Sequence, residues 1–388
     1  MPTVSIIKCG SYNYKDVEFA IRKAIENIGG TEKFFKKDQK ILIKPNILSA
    51  KSPEKAVTTH PEVIRAIIRI VRSVGAIPAV GESPGGAVSG AERFWDKCGI
   101  KKVCEEENCE MLFFENTGTV RVQSKNPKNK TLKTLEIAKP CLEYDCVITV
   151  PKFKTHNLVF LTGAVKNLYG CIPGLRKSMY HKYAPHPTDF SEILVDILAI
   201  VKPKLSIMDA IVGMEGEGPA AGKVRDIGLI MASDDAVAMD TVMCEIANFN
   251  IKKMYYLLSA SKLGLGCSDI QKIKIEGEKL EDVIIKNFNV PPNLLVYMVP
   301  KKFAKFLGKF VSALPVMNKN KCTKCMTCIK ACSMKAIELR DIPKVDKTKC
   351  ILCLCCNELC PENAVEIRYS ALIRVLLFLR KIKRFIPL

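Results

Sequence analysis

The chain has 388 residues, 48% hydrophobic and 26% charged, with 60 Lys+Arg against 40 Asp+Glu for a formal net charge of +20. This composition suits about two or three domains with a sizeable core and excludes a mostly disordered or fibrous chain. No apolar run approaches the roughly 18 residues that span a bilayer, and Met1–Gly10 lacks the regions of a secretory signal, so a cytoplasmic protein is expected.

In chain order, Val4–Lys8, Lys40–Lys44, Ile77–Gly81, Met111–Phe114, Cys146–Val150 and Leu205–Asp209 read as strands. Helical periods appear at Lys15–Ile28, Pro61–Val74, Phe190–Val201 and Ala236–Ala247. The alternation predicts an α/β domain over 1–290, a mostly parallel sheet with flanking helices.

Four of these strands run into polar motifs. They are Lys44-Pro45-Asn46, Glu82-Ser83-Pro84-Gly85, Lys152-Phe153-Lys154-Thr155-His156, and Asp209 followed by the loop Gly213–Pro219. Ligands of open α/β sheets bind outside the carboxyl ends of strands, so one shared crevice is expected. Lys152, Lys154, His156 and Glu82 are its candidate catalytic groups; Lys44, Asn46, His60, Lys166, Asn167, Asp209, Glu215 and Gly218 are candidates for holding substrate. The lysines and histidines favour a carboxylate or phosphate, while the acids suit a metal ion or acid–base work. Ordinary polar βα loops are the bland alternative.

Gly216–Lys223 is not a nucleotide loop. Gly218 and Gly222 enclose only Pro219, Ala220 and Ala221, Val224 stands where Ser or Thr should follow the lysine, and Pro219 lacks an N–H for phosphate. The dinucleotide glycine pattern fails too, because position 221 is alanine and Val224–Met231 reads as a strand.

Thr59-His60-Pro61, Glu82–Gly85, Pro151–His156, Val165-Lys166-Asn167, Gly216–Gly222 and Ser233-Asp234-Asp235 with Asp240 resemble the motifs of domain of unknown function three-sixty-two. The resemblance spans nearly residues 1–290. It implies an iron–sulfur protein of redox function with a C-terminal two-cluster ferredoxin module, and supplies no substrate.

A basic amphipathic linker follows at 291–316, with Phe303, Phe306, Leu307 and Phe310 on one face and Lys301, Lys302, Lys305 and Lys309 on the other. Residues 317–368 then carry nine of the 18 cysteines. Cys322-x2-Cys325-x2-Cys328-x3-Cys332 and Cys350-x2-Cys353-x2-Cys356-x3-Cys360-Pro361 have the doubled spacing of two-cluster ferredoxins, in which the fourth cysteine of each run serves the other cluster. This predicts a small α+β ferredoxin-type domain with two [4Fe–4S] clusters. Cluster one uses Cys322, Cys325, Cys328 and Cys360; cluster two uses Cys350, Cys353, Cys356 and Cys332. Zinc is the weaker alternative. Cys355 falls outside the spacing, and Ser333 replaces the proline expected after Cys332. No motif for a flavin or a further metal is present.

The tail, 369–388, is again basic and amphipathic. Such stretches can lie on anionic membranes, but packing on the protein itself is favoured; nucleic acid ranks lower still, since no binding module accompanies the charge. The expected function is an oxidoreductase passing electrons from the clusters to an anionic substrate or cofactor in the crevice, with a redox partner protein. A non-catalytic electron carrier and an iron–sulfur scaffold or assembly protein are the alternatives.

Overall fold

The computed structural model describes residues 1–85, 90–289, 291, 313–371 and 374–375. Most of the linker and of the tail therefore lies outside the described residues. Among the described residues the strands are, in chain order, β1 Thr3–Lys8, β2 Lys40–Pro45, β3 Ile77–Glu82, β4 Glu110–Phe113, β5 Thr119–Gln123, β6 Thr134–Ala138, β7 Cys146–Val150, β8 Lys152–His156, β9 Phe160–Thr162, β10 Leu205–Glu215, β11 Lys223–Ser233, β12 Lys274–Gly277, β13 Ala313–Met317, β14 Ile337–Leu339, β15 Pro343–Val345 and β16 Val365–Tyr369. The main sheet has the order β12-β1-β11-β10-β7-β2-β3-β4, with β8 and β9 added beside β10. Its centre, β10-β7-β2-β3-β4, is parallel; β11 runs antiparallel to both neighbours. The expected α/β architecture with a mostly parallel sheet is what forms.

Strand periodicity explains the continuous apolar runs. Successive side chains point to opposite faces, so Ile41 and Ile43 join one core while Leu42 joins the other. Both faces are covered, which is why these strands read as unbroken hydrophobic stretches. On one face lie the helices Tyr14–Glu26 and Pro61–Ser73, the latter burying Val63, Ile64, Ile67, Ile68, Ile70 and Val71 along one stripe. On the other lie Pro187–Val201 and Ala236–Ile246.

The cysteine-rich segment forms two small antiparallel ladders, β13–β16 and β14–β15, joined by the short helices Thr327–Ala331 and Cys355–Glu358. It rests on the sheet's carboxyl edge: Lys51 Nζ donates to Asn363 Oδ1 at 2.5 Å and the Tyr369 hydroxyl lies 3.5 Å from Glu217 Oε1.

His181 has a stability consequence. Its ring stacks on Phe190 with centroids 4.3 Å apart, Nδ1 has no hydrogen-bond partner among the described residues, and burial pushes its pKa down to about 3. An unfolded histidine titrates near ~6.5, so between these values the unfolded chain binds the extra proton and stability falls as pH falls. The loss from this residue reaches about 2 kcal/mol at pH ~5. His181→Phe keeps the ring packing, so urea unfolding at neutral pH and at pH ~5 should show about 2 kcal/mol less acid destabilisation than wild type.

Candidate functional site

Parallel pairing brings the ends of β2 and β3 together, and with them Lys44 and Glu82. Both side chains are buried, and Lys44 Nζ donates to Glu82 Oε2 at 2.6 Å. Asn167 braces the pair, donating from Nδ2 to Lys44 O at 3.2 Å and to Thr149 Oγ1 at 2.9 Å. Asn46 Nδ2 donates to Asn167 Oδ1 at 3.2 Å, while Asn46 Oδ1 accepts from Lys154 Nζ at 2.9 Å. Lys154 also donates to Val57 O at 2.5 Å and, among the described residues, makes no ion pair with a carboxylate. Burial raises the Glu82 pKa against the pull of Lys44. Burial, then the charge of Lys166, drives Lys154 well below the usual ammonium range.

Lys166 and Asn167 sit on the short helix Ala164–Asn167. Asp240 holds its first turn, accepting from Ala164 N at 2.5 Å and Val165 N at 3.1 Å. Burial lowers Lys166 to about 8, with Glu358 opposing. Lys177, from the helix Arg176–Tyr183, reaches in to Ser83 O and Ile172 O, both at 2.9 Å, and to Ser83 Oγ; burial lowers it to about 8 as well. Gly170 lies against the Lys44–Glu82 pair so closely that a Cβ would collide with both side chains.

Asn46, Glu82, Ser83, Lys154, Lys166, Asn167, Gly170 and Lys177 line one cavity of about 60 Å³, together with His156, Thr162, Tyr169 and Pro219. That space holds a few waters or one small anion, since a single water takes roughly 10–15 Å³ on this measure. The Thr162 hydroxyl has no hydrogen-bond partner among the described residues. His156 Nδ1 accepts from Leu158 N at 3.0 Å and Val159 N at 3.4 Å, so the neutral ring carries its proton on Nε2. Burial, then Lys166, pushes His156 well below the ordinary imidazole range and keeps it neutral.

The cysteine-rich segment approaches the wall of this cavity at His156. Glu358 is buried with Oε1 at 3.8 Å from His156 Nε2, and that oxygen has no hydrogen-bond partner among the described residues. Burial raises Glu358 to about 7, with Lys166 and Lys154 opposing. Glu358 stands between Cys356 and Cys360 in the sequence. One small cavity of this segment is lined by Cys322, Cys325, Cys328 and Cys360, and another by Cys332, Cys350, Cys353 and Cys356 with Cys355. Among the described residues no three His, Cys, Asp or Glu side chains converge closely enough to hold a single metal ion.

The expected single crevice is in fact divided. Lys152 and Asp209 pair at 2.8 Å in a separate buried cluster, where Tyr12 OH donates to Asp209 Oδ1 at 2.8 Å and Lys152 Nζ donates to Tyr12 OH at 2.6 Å. His60 stacks on Tyr12 at 3.6 Å, gives its backbone N–H to Asp209 at 2.9 Å and caps the helix Pro61–Ser73 by accepting from Glu62 N. These groups satisfy one another. Glu215 binds Asn289, with 3.0 Å to its backbone N, and approaches Arg225 at 3.9 Å. Gly218 packs its backbone on Thr155, donating to Thr155 Oγ1 at 3.2 Å, and places Pro219 at the cavity wall.

The divergence has a topological cause. Asp209 does not end a strand, because β10 continues to Glu215 by pairing with β11. Lys152–His156 is likewise not a loop but β8, whose alternation points Lys152, Lys154 and His156 to one face, from the Tyr12 cluster into the cavity. Sequence reasoning missed Tyr12, Thr162, Lys177 and Glu358. Thr162 and Lys177 follow no predicted strand, and Glu358 looks like a solvated acid within the cysteine spacing.

Residues 41–245 match the family described as domain of unknown function (DUF362). The chain belongs to that family. A thylakoid-associated protein of Synechocystis sp. is 29% identical to this DUF362 chain over 294 residues, which is 76% of this chain and 89% of the relative. Among solved structures, the lactate racemase apoprotein of Thermoanaerobacterium thermosaccharolyticum aligns with a TM-score of 0.41 at 14% identity, covering 63% of this chain and 56% of that one. A Thermotoga maritima protein aligns with a TM-score of 0.37 at 12% identity, covering 66% and 60%. This DUF362 chain thus spans less than two thirds of either solved chain. Among its described residues no helix is long and apolar enough to cross a membrane.

Proposed function

We propose that this DUF362 protein is an iron–sulfur oxidoreductase that acts on a small anion held in the crevice beside Lys154, His156 and Lys166. The observation that carries this reading is Glu358. It reaches from between two cysteines of the doubled spacing to 3.8 Å from His156, which lines the basic cavity, so the cysteine-rich segment packs directly behind the crevice wall.

The residues fit two cubanes, because the eight spaced cysteines divide between two cavities in the crossed sets that such modules use. A cubane spreads its four thiolates farther apart than one ion would, consistent with sulfurs that do not meet at a point. Cys322, Cys325, Cys328 and Cys360 would hold one cluster, and Cys332, Cys350, Cys353 and Cys356 the other. When bound, the clusters would supply single electrons. The chain's own part is to bind and orient the anion by the Lys166 ammonium and the Lys154 Nζ–H donors, to offer the His156 Nε2–H as a neutral donor, and to keep water out through Tyr169 and Pro219.

Anaerobic purification with iron analysis and mass spectrometry of bound small molecules tests the proposal. A small anion released on denaturation, and lost in Lys154→Ala or His156→Ala with iron content unchanged, is the expected result. A second reading, an electron carrier without a substrate, is favoured by how much of the crevice the Lys44–Glu82 pair and its braces already fill. Iron-loaded protein whose crevice neither releases nor binds an anion would select that reading.

A further inference from the structure

The face of the cysteine-rich segment around β13 and β15 carries a feature that the crevice does not use. It is an open groove of about 530 Å³ between β13 and the β14–β15 turn, with an apolar floor. Its rim carries Lys319, Arg340, Lys344, Lys347 and Arg368, all exposed, against the single acid Asp341. Among the described residues none of these five cations is in an ion pair. Lysines just outside the groove are paired: Lys321 with Glu366 at 2.9 Å, and Lys349 with Asp346 at 3.5 Å. The groove's charge is therefore left unneutralised where neighbouring charge is not.

The floor gives the groove a purpose. Met317 and Pro343 line both the groove and the cavity of Cys322, Cys325, Cys328 and Cys360. Pro315 and Val345 line both the groove and the cavity of Cys332, Cys350, Cys353 and Cys356. A partner seated there is separated from either cysteine set by one layer of apolar side chains.

We propose that this groove is the docking surface for an acidic electron-carrier protein, recognised by complementary charge at the rim and apolar contact at the floor. The partner's redox chemistry rests on the iron–sulfur reading; its acidity and its place rest on the groove alone. Charge complementarity of this kind acts mainly on encounter rate and salt dependence, and exposed charges are screened beyond about 8 Å at physiological salt.

The test uses the full-length protein and, as probe, a small acidic two-cluster ferredoxin, with binding followed by titration calorimetry at low and physiological salt. The triple variant Arg340→Glu, Lys344→Glu, Lys347→Glu should weaken binding at least about tenfold and flatten its salt dependence. A charge-matched control, Lys128→Glu, Lys130→Glu, Lys133→Glu, places the same reversal on exposed lysines elsewhere and should change affinity less than about threefold. Equal losses in both triples would show bulk charge at work and overturn the proposal. So would a groove triple that binds like wild type, or a wild type that binds anionic vesicles but not the ferredoxin. Binding is read by heat and iron by analysis, so protein that takes up no iron on anaerobic reconstitution yet still binds through the groove refutes the iron–sulfur reading without refuting the surface.

Discussion

Lys44→Met is expected to cost about 3–5 kcal/mol of unfolding free energy, because it leaves the Glu82 carboxylate charged and unpaired in the interior. Both groups are buried, and Gly170 and Asn167 pack directly against the pair. Bringing two charges out of water offsets most of their mutual attraction, so the intact pair contributes little net stability. The double variant Lys44→Met, Glu82→Met should therefore recover most of the loss, within about 1–2 kcal/mol of wild type. Denaturant unfolding of the three proteins measures it. A double variant as unstable as the sum of both singles would mean that the pair is bound into the site by more than each other.

Cys353→Ser should remove about half of the iron, since it takes one thiolate from the second set and leaves the first complete. Cys325→Ser should do the same to the first set. In each case the remaining cluster should be more easily lost, because Cys332 and Cys360 cross between the two halves of the segment. Cys355→Ser should leave the iron content unchanged. Cys355 is buried and lies outside the doubled spacing, so neither set of four loses a thiolate when it is replaced.

How much of this was legible in the sequence depended on which force fixed each element. Ile41–Ile43 and Val147–Val150 were legible because a strand buried on both faces must be apolar throughout. The helix Pro61–Ser73 was legible because its stripe recurs at helical spacing behind a proline. β8 was not, because Lys152, Lys154 and His156 are charged or polar in a fully buried strand, and only pairing with β10 and β9 holds them there. Val224–Met231 was legible as a strand, but its antiparallel pairing with β10 was not, and that pairing carries Asp209 away from the crevice.

The site divides along the same line. Lys44, Asn46 and Glu82 came together because parallel strand ends share an edge, and β8 and the helix Ala164–Asn167 bring Lys154, His156, Lys166 and Asn167 to them. His60 did not, because its imidazole is taken up in capping a helix and stacking on Tyr12. Lys177 and Glu358 arrive from elements with no strand-end position, a polar helix and a cysteine-bearing turn. Tertiary packing alone delivers them.

The measurement that bears most directly on the central claim is iron and acid-labile sulfide in anaerobically reconstituted wild-type protein, with electron paramagnetic resonance after reduction. Two cubanes require about eight iron and eight sulfide per chain, and reduction should give two interacting signals. Zinc in place of iron, or about four iron unaffected by Cys353→Ser, would contradict it.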